Sequence, residues 1–359
     1  MRLFSRQYFE KRKDEKQMRS IKVLIVDDSL VFRELLVQNL SRDPAITVVA
    51  TAKDPYEARD AIIRHKPDVM TLDVELPRMS GIEFLRKLMP QYPLPVVVIS
   101  ALSDRVFDAM NAGAVDFVGK PTVTNRAQLE EFIRNELLVK IKIASTAKIG
   151  NIKKKIQGQN YNGPQVFKNN LLVAIGASTG GTEAIFEVVK GFGPDIPGVV
   201  IVQHMPPGFT GMYAKRLNDQ CRVRVKEAQT GDRVLPGHVL IAPGGDQHMR
   251  LVKVNGAYQV ECRSGPRVNG HCPSVDVLFE SVAKTAKKDA VGIILTGMGG
   301  DGAKGLLAMR SAGAKTIGQD ESSCVVYGMP KVAYDIGAVE QQVKLADIAA
   351  RTYMLLNKM

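Results

Sequence analysis

Cysteine is scarce: Cys221, Cys262, Cys272 and Cys324 are the only four, all lie in the second half, and none forms a C-x-x-C pair. The missing pairs argue against a zinc site or a disulfide framework and leave small buried hydrophobes in a reducing cytosol. No uninterrupted apolar run is long enough to cross a bilayer, so no membrane insertion is expected. The first twenty residues lack the apolar core and small-residue cleavage site of a secretory signal. They read as a basic disordered extension, with Met18 an alternative start to Met1. Histidine is also sparse, and five residues narrow the search for a general base.

At 359 residues, two cores of ordinary size are expected. The formal charge of +12 raises nucleic acid as a partner. The basic residues are nevertheless scattered, and no zinc finger, RNA-binding aromatic motif or recognition helix accompanies them. A solvated basic surface accounts for them more simply, and an acidic protein substrate accounts for them as well as nucleic acid does.

Two regions alternate buried strand-like runs with helix-period segments, which predicts α/β architecture with parallel sheets covered on both faces. The first spans residues 21–144, with IKVLIVDD, ITVVATA, DVMTLDV, LPVVVIS and VDFVGKP as strands. Residues 145–170, with Lys153, Lys154 and Lys155 followed by Gly and Asn, read as a linker. The second region spans 171–359, with LLVAIGAS, GVVIVQH, HVLIAP and AVGIILTG as its clearest strands.

Ligands of open α/β sheets bind beyond the carboxyl ends of the strands. In the first region those positions carry Asp27, Asp28, Asp73, Ser100 and Lys120. Three converging carboxylates repel one another unless a cation joins them, and hard oxygen ligands suit Mg²⁺. Asp73 is then the nucleophile toward a phosphoryl donor, with Lys120 offsetting charge and Ser100 hydrogen-bonding the phosphoryl oxygens. The plainer alternative makes Asp27 and Asp28 helix caps and Lys120 a surface charge. Together with VDDS, LDVELPRMSG and DFVGKP, this pattern resembles the response-regulator receiver family, a flavodoxin-like fold. The resemblance implies Asp73 as phosphoacceptor, Asp27 and Asp28 as metal-side acids, and the Glu75 carbonyl as a further metal ligand. It also implies Ser100 and Phe117 as switch residues.

In the second region Ser178 sits in G-x-S-x-G, between Gly176 and Gly180, after a buried strand and before a helix, as a nucleophile elbow requires. The same glycines fit a dinucleotide-phosphate loop, but the next strand delivers Gln203 and His204 rather than the acid expected on ribose. His204 is the candidate base, whereas His238, His248 and His271 fall in turn-rich stretches. Asp301, in the glycine loop after AVGIILTG, is the candidate orienting carboxylate; its plainer reading is a helix cap. The order Ser, His, Asp departs from that of the α/β hydrolases.

GASTGGTEA, QHMPPGFT, APGGDQHM, GHCPSVDVLF, TGMGGDGAKG and ESSCVVYGMP resemble the chemotaxis protein-glutamate methylesterase family. The resemblance implies Ser178 as nucleophile, His204 as base and acid, Asp301 as orienting group, and the Met298 amide as oxyanion donor. It also implies methyl-accepting chemotaxis receptors as substrate, glutamine deamidation as a second activity, and a chemotaxis histidine kinase as phosphodonor. Ester hydrolysis by such a site needs no metal. Cys272 stands where the family often has a basic residue, which bears on substrate contacts near His271. Two rivals from other classes are a receiver with a nucleic-acid-binding output and a silent adaptor.

Overall fold

The computed structural model describes residues 20–101, 104–121, 126–149, 165–168 and 170–359. The expected amino-terminal extension and most of the expected linker lie outside them.

The first sheet is built from β1 (Ile21–Val26), β2 (Ile46–Ala52), β3 (Val69–Asp73), β4 (Val96–Ser100) and β5 (Asp116–Gly119), in the order β2-β1-β3-β4-β5. Every pairing is parallel. The connecting helices are α1 (Leu30–Leu40), α2 (Pro55–His65), α3 (Gly81–Gln91) and α4 (Arg105–Asn111). After β5, α5 (Arg126–Phe132) passes through a π-helical turn (Ile133–Leu137) into α6 (Leu138–Ala144). Strands β3 and β4 are buried throughout, as expected of a sheet covered on both faces.

The second sheet has seven strands in the order β14-β13-β12-β6-β7-β9-β8. Its central members are β6 (Leu172–Ala177), β7 (Gly198–Gln203) and β12 (Ala290–Ile294), all buried along their length. The others are β8 (Arg224–Glu227), β9 (His238–Ile241), β13 (Lys315–Gln319) and β14 (Gln341–Val343). Helices α7 (Gly181–Lys190) and α8 (Phe209–Gln220) follow β6 and β7. The hairpin β10 (Gln247–Val254) and β11 (Ala257–Ser264) pairs antiparallel outside this sheet and leads into α9 (Val275–Thr285). After β12 comes α10 (Ala303–Ser311).

Both sheets reverse strand order beside their first strand, β1 against β3 and β6 against β12. Such reversals open a crevice at the carboxyl ends. Asp27 and Asp73 stand at one, Ser178 and Asp301 at the other.

Candidate active site

At the first crevice, Lys120 donates to Asp27 at 2.8 Å and to Asp73 at 2.5 Å. Oxygens of Asp27, Asp28 and Asp73 lie within 4.8 Å of one another. Asp27 and Asp73 are buried and Asp28 is exposed, so two acids are held by the sheet and one faces outward. Burial, against the opposing pull of Lys120, pushes the Asp27 carboxyl up to about 6. Helix capping does not occupy these acids: the Ser29 hydroxyl caps α1 by accepting from the Phe32 amide. Gly81 has a steric reason, since a Cβ there would stand 2.2 Å from the Asp73 carbonyl. Ser100 ends β4, buried, and the Phe117 ring is buried against Phe107 and Phe209, with centroids 6.0 and 4.9 Å away.

At the second crevice β6 turns sharply after Ala177. The Ser178 amide donates to the Thr296 carbonyl at 3.0 Å, and the Ser178 carbonyl accepts from Gly181 at 2.7 Å. Gly180 has φ 75°, a left-handed conformation that glycine adopts without a Cβ penalty. The first glycine of the motif serves packing instead: a Cβ on Gly176 would lie 2.2 Å from Val275 Cγ1, at the start of α9. The elbow thus needs glycine as much for a neighbouring helix as for its own turn.

His204 follows β7, its amide donating to Ala177 at 3.2 Å. Gln203 joins the two strand ends by donating from Nε2 to the carbonyls of Ser178 and His204. His204 Nε2 pairs with Asp301 Oδ2 at 2.8 Å. A proton on Nε2 leaves a lone pair on Nδ1, which is buried and without a hydrogen-bond partner. The Ser178 hydroxyl is not hydrogen-bonded to it in this conformation. The Met298 amide donates to no other described group, in a loop adjoining the elbow: a Cβ on Gly297 would lie 2.7 Å from Ser178 Cβ.

Asp301 does not cap its own helix; Gly302 is the N-cap of α10 and provides no side-chain bond. It accepts instead from a different helix end, the Val275 amide at 2.7 Å and the Asp276 amide at 3.3 Å. The Ser274 hydroxyl and Asn269 Nδ2 add bonds of 2.7 and 2.8 Å. Burial alone would raise its pKa, but His204, Asn269 and Ser274 outweigh burial and hold it well below the usual carboxylate range. The carboxylate therefore stays ionised beside the imidazole.

Sequence reasoning missed this ring of donors and also misplaced His248, which lies in β10 rather than in a turn; His238 opens β9, the HVLIAP run read as a strand. His271 stacks on His204, with centroids 3.7 Å apart and planes 9° off parallel. The available signals were Asn269-Gly270, a strong two-residue turn, and Ser274 before an apolar helical run.

The two regions meet at this site. Thr179, next to Ser178, donates its hydroxyl to Asp116 of β5 at 2.6 Å, and Lys140 of α6 donates to the other oxygen of Asp116 at 2.5 Å. Phe117 packs on Phe209, and Phe107 on Tyr213 with centroids 5.4 Å apart. No helix among the described residues is long and apolar enough to cross a membrane.

Residues 173–352 match the family model described as CheB methylesterase, and residues 23–134 match the response regulator receiver domain. The protein-glutamate methylesterase/protein-glutamine glutaminase 2 of Syntrophomonas wolfei is 63% identical over 343 residues, 96% of this chain and 100% of that protein. The corresponding Salmonella typhimurium protein is 48% identical, over 92% of this chain and 96% of its own length. The catalytic domain of the Thermotoga maritima CheB methylesterase, known from a crystal structure, is 35% identical with TM-score 0.51, covering 54% of this chain and all of that one. Two domain matches joined in one chain, with relatives alike from end to end, place this protein in the family of receiver-linked protein-glutamate methylesterase/protein-glutamine glutaminases.

Proposed function

We propose that this chain hydrolyses glutamyl methyl esters on methyl-accepting chemotaxis receptors, and deamidates specific receptor glutamines, through a Ser178, His204 and Asp301 triad. Residues 171–359 form the esterase and residues 21–144 its receiver, joined by a linker at 145–170 and preceded by an extension at 1–20. The observation that carries the triad is the unpartnered Nδ1 of a histidine whose Nε2 is fixed on a buried carboxylate. Ser178 Oγ attacks the ester carbonyl carbon while Nδ1 takes its proton, and the carbonyl oxygen becomes an oxyanion received by the Met298 amide. Collapse of the tetrahedral intermediate breaks the bond to methoxide, which leaves as methanol with the Nδ1 proton. Water then attacks the acyl-enzyme, losing its proton to Nδ1, and Ser178 departs with it. A glutamine side chain follows the same course with ammonia as leaving group.

In the receiver, Asp73 is the phosphoacceptor, and Asp27, Asp28 and the Glu75 carbonyl hold Mg²⁺. The three clustered carboxylates suit a hard divalent cation. When bound, Mg²⁺ offsets the charge of the phosphoryl group. Lys120 stands ready for the same purpose, and Ser100 and Phe117 report the phosphorylated state. A chemotaxis histidine kinase is the phosphodonor, and the cytoplasm is where kinase and receptor tails are both accessible. The hydrogen bond from Thr179 to Asp116 supports inhibition by contact, with the unphosphorylated receiver held against the elbow.

Methanol release from methylated receptor membranes tests both halves. A small phosphodonor with Mg²⁺ should raise the rate of the wild type, and Ser178→Ala should abolish it while remaining folded. Hydrolysis surviving in Ser178→Ala would reject the serine mechanism.

A further inference from the structure

His248 is 1% exposed and belongs to none of the reacting groups. Its Nδ1 accepts the Ser274 amide at 3.1 Å, and its Nε2 lies 2.9 Å from the Pro266 carbonyl. A ring nitrogen that accepts an amide proton carries none of its own, so the ring is neutral and Nε2 is the donor to Pro266. Gly265 lets the chain lie close, since a Cβ there would come 3.2 Å from His248 Cδ2. One imidazole thus ties together the two ends of the segment that leaves β11 and enters α9.

That segment surrounds the His204–Asp301 pair. At its tip Val268 and His271 exchange two backbone bonds of 2.9 Å across Asn269 and Gly270, whose φ values are 53° and 84°. Positive φ at both central residues is the tight hairpin turn that Asn-Gly favours. Asn269 donates to Asp301, His271 lies flat on His204, and the Ser274 hydroxyl donates to Asp301. The Val275 and Asp276 amides that also reach Asp301 come directly after the Ser274 amide held by His248. A tilt at this point moves all of these donors together.

We propose that His248 is a positioning residue for ester hydrolysis: by pinning Pro266 and Ser274 it sets Asn269, His271 and Ser274 against the His204–Asp301 pair. This rests on the triad reading above. An apolar residue of similar size would fill the space but leave a buried N–H and a buried C=O unpaired, freeing both ends of the loop.

The test uses the full chain with phosphodonor and Mg²⁺, and methanol release from methylated receptor membranes. His248→Phe should lower kcat about tenfold or more, the scale of losing a buried hydrogen-bond partner next to the chemistry. KM should change less than about twofold, because substrate contacts remain. His248→Gln, which restores an acceptor and a donor, should recover part of kcat. Nitrogen NMR of the wild-type ring should show Nε2 protonated and Nδ1 bare. If His248→Phe does not fold, the ring's nitrogen spectrum and the kcat of a folded His248→Gln carry the test, since Gln keeps a donor and an acceptor but cannot place both as the ring does, so its kcat should lie below that of the wild type. A folded His248→Phe with wild-type kcat, a folded His248→Gln no better than a folded His248→Phe, a folded His248→Gln with wild-type kcat when His248→Phe does not fold, or a protonated Nδ1 would each overturn it. Ser178→Ala separates the two readings. If it stays active the triad fails, whereas if it is inactive and His248→Phe is unimpaired, only the positioning role fails.

Discussion

The two crevices share a topology and hold their buried carboxylates in opposite ways. Asp27 shares one lysine with a second acid, and burial raises its pKa to about 6. Asp301 has no second acid on the same cation; against its burial, His204, Asn269 and Ser274 lower its pKa, and two helix-end amides donate to it as well. Acids that share one lysine suit an added cation, whereas a carboxylate that already accepts five hydrogen bonds is held in its charged form by them. Strand order therefore selects where chemistry happens, and the local supply of N–H groups selects which chemistry.

The sharpest way to break this contrast is Asp301→Asn, which keeps the shape but removes the charge. The amide would meet donors that expect an acceptor and would no longer stabilise an imidazolium. Ester hydrolysis should fall by roughly 10⁴ in kcat, the scale seen when such a carboxylate is neutralised elsewhere. A loss under tenfold in steady-state assays would show that the donor ring, not the charge, matters.

The link between the crevices is tested by Asp116→Ala, which removes the acceptor for both Thr179 and Lys140. Basal methanol release without phosphodonor should rise about two- to tenfold, the range of one hydrogen bond's net worth. The further gain on phosphorylation should shrink in proportion. An unchanged basal rate would remove this contact from the inhibition.

The smallest effect concerns His271. Burial, reinforced by His204, lowers its pKa to about 4, against about 6.5 in an unfolded chain. The unfolded state therefore binds more protons through that window, and the contribution of His271 to stability is full above pH 6.5 and lost as pH falls toward 4. Urea unfolding across this range should show a shallower acid slope for His271→Phe than for the wild type. Equal slopes would mean that the ring ionises freely in the folded protein.

Much of this was legible in one dimension. Apolar runs such as VVVI and LVAIGA announce strands covered on both faces, and the residues after them fall at a sheet edge whatever the helices do. That is why Asp27, Asp73, Lys120, Ser178 and His204 were readable as groups. The ring around Asp301 was not, because Asn269, Ser274, Val275 and Asp276 come from a different part of the chain and half of their contribution is backbone. Backbone amides carry no sequence signature. His248 was hidden for a related reason: between Gln247 and Met249, just after Gly244, Gly245 and Asp246, it reads as part of a turn, and both of its partners are backbone groups.

The sequence alone determined the alternation of strand and helix, the glycines of the elbow and the side chains presented at each strand end, because these follow from local periodicity and sterics. Tertiary structure alone decided that Gly176 makes room for Val275, that Asp301 is held by the start of α9, and that Asp116 bonds beside Ser178. Those contacts join segments distant along the chain, and only packing fixes which donor faces which acceptor.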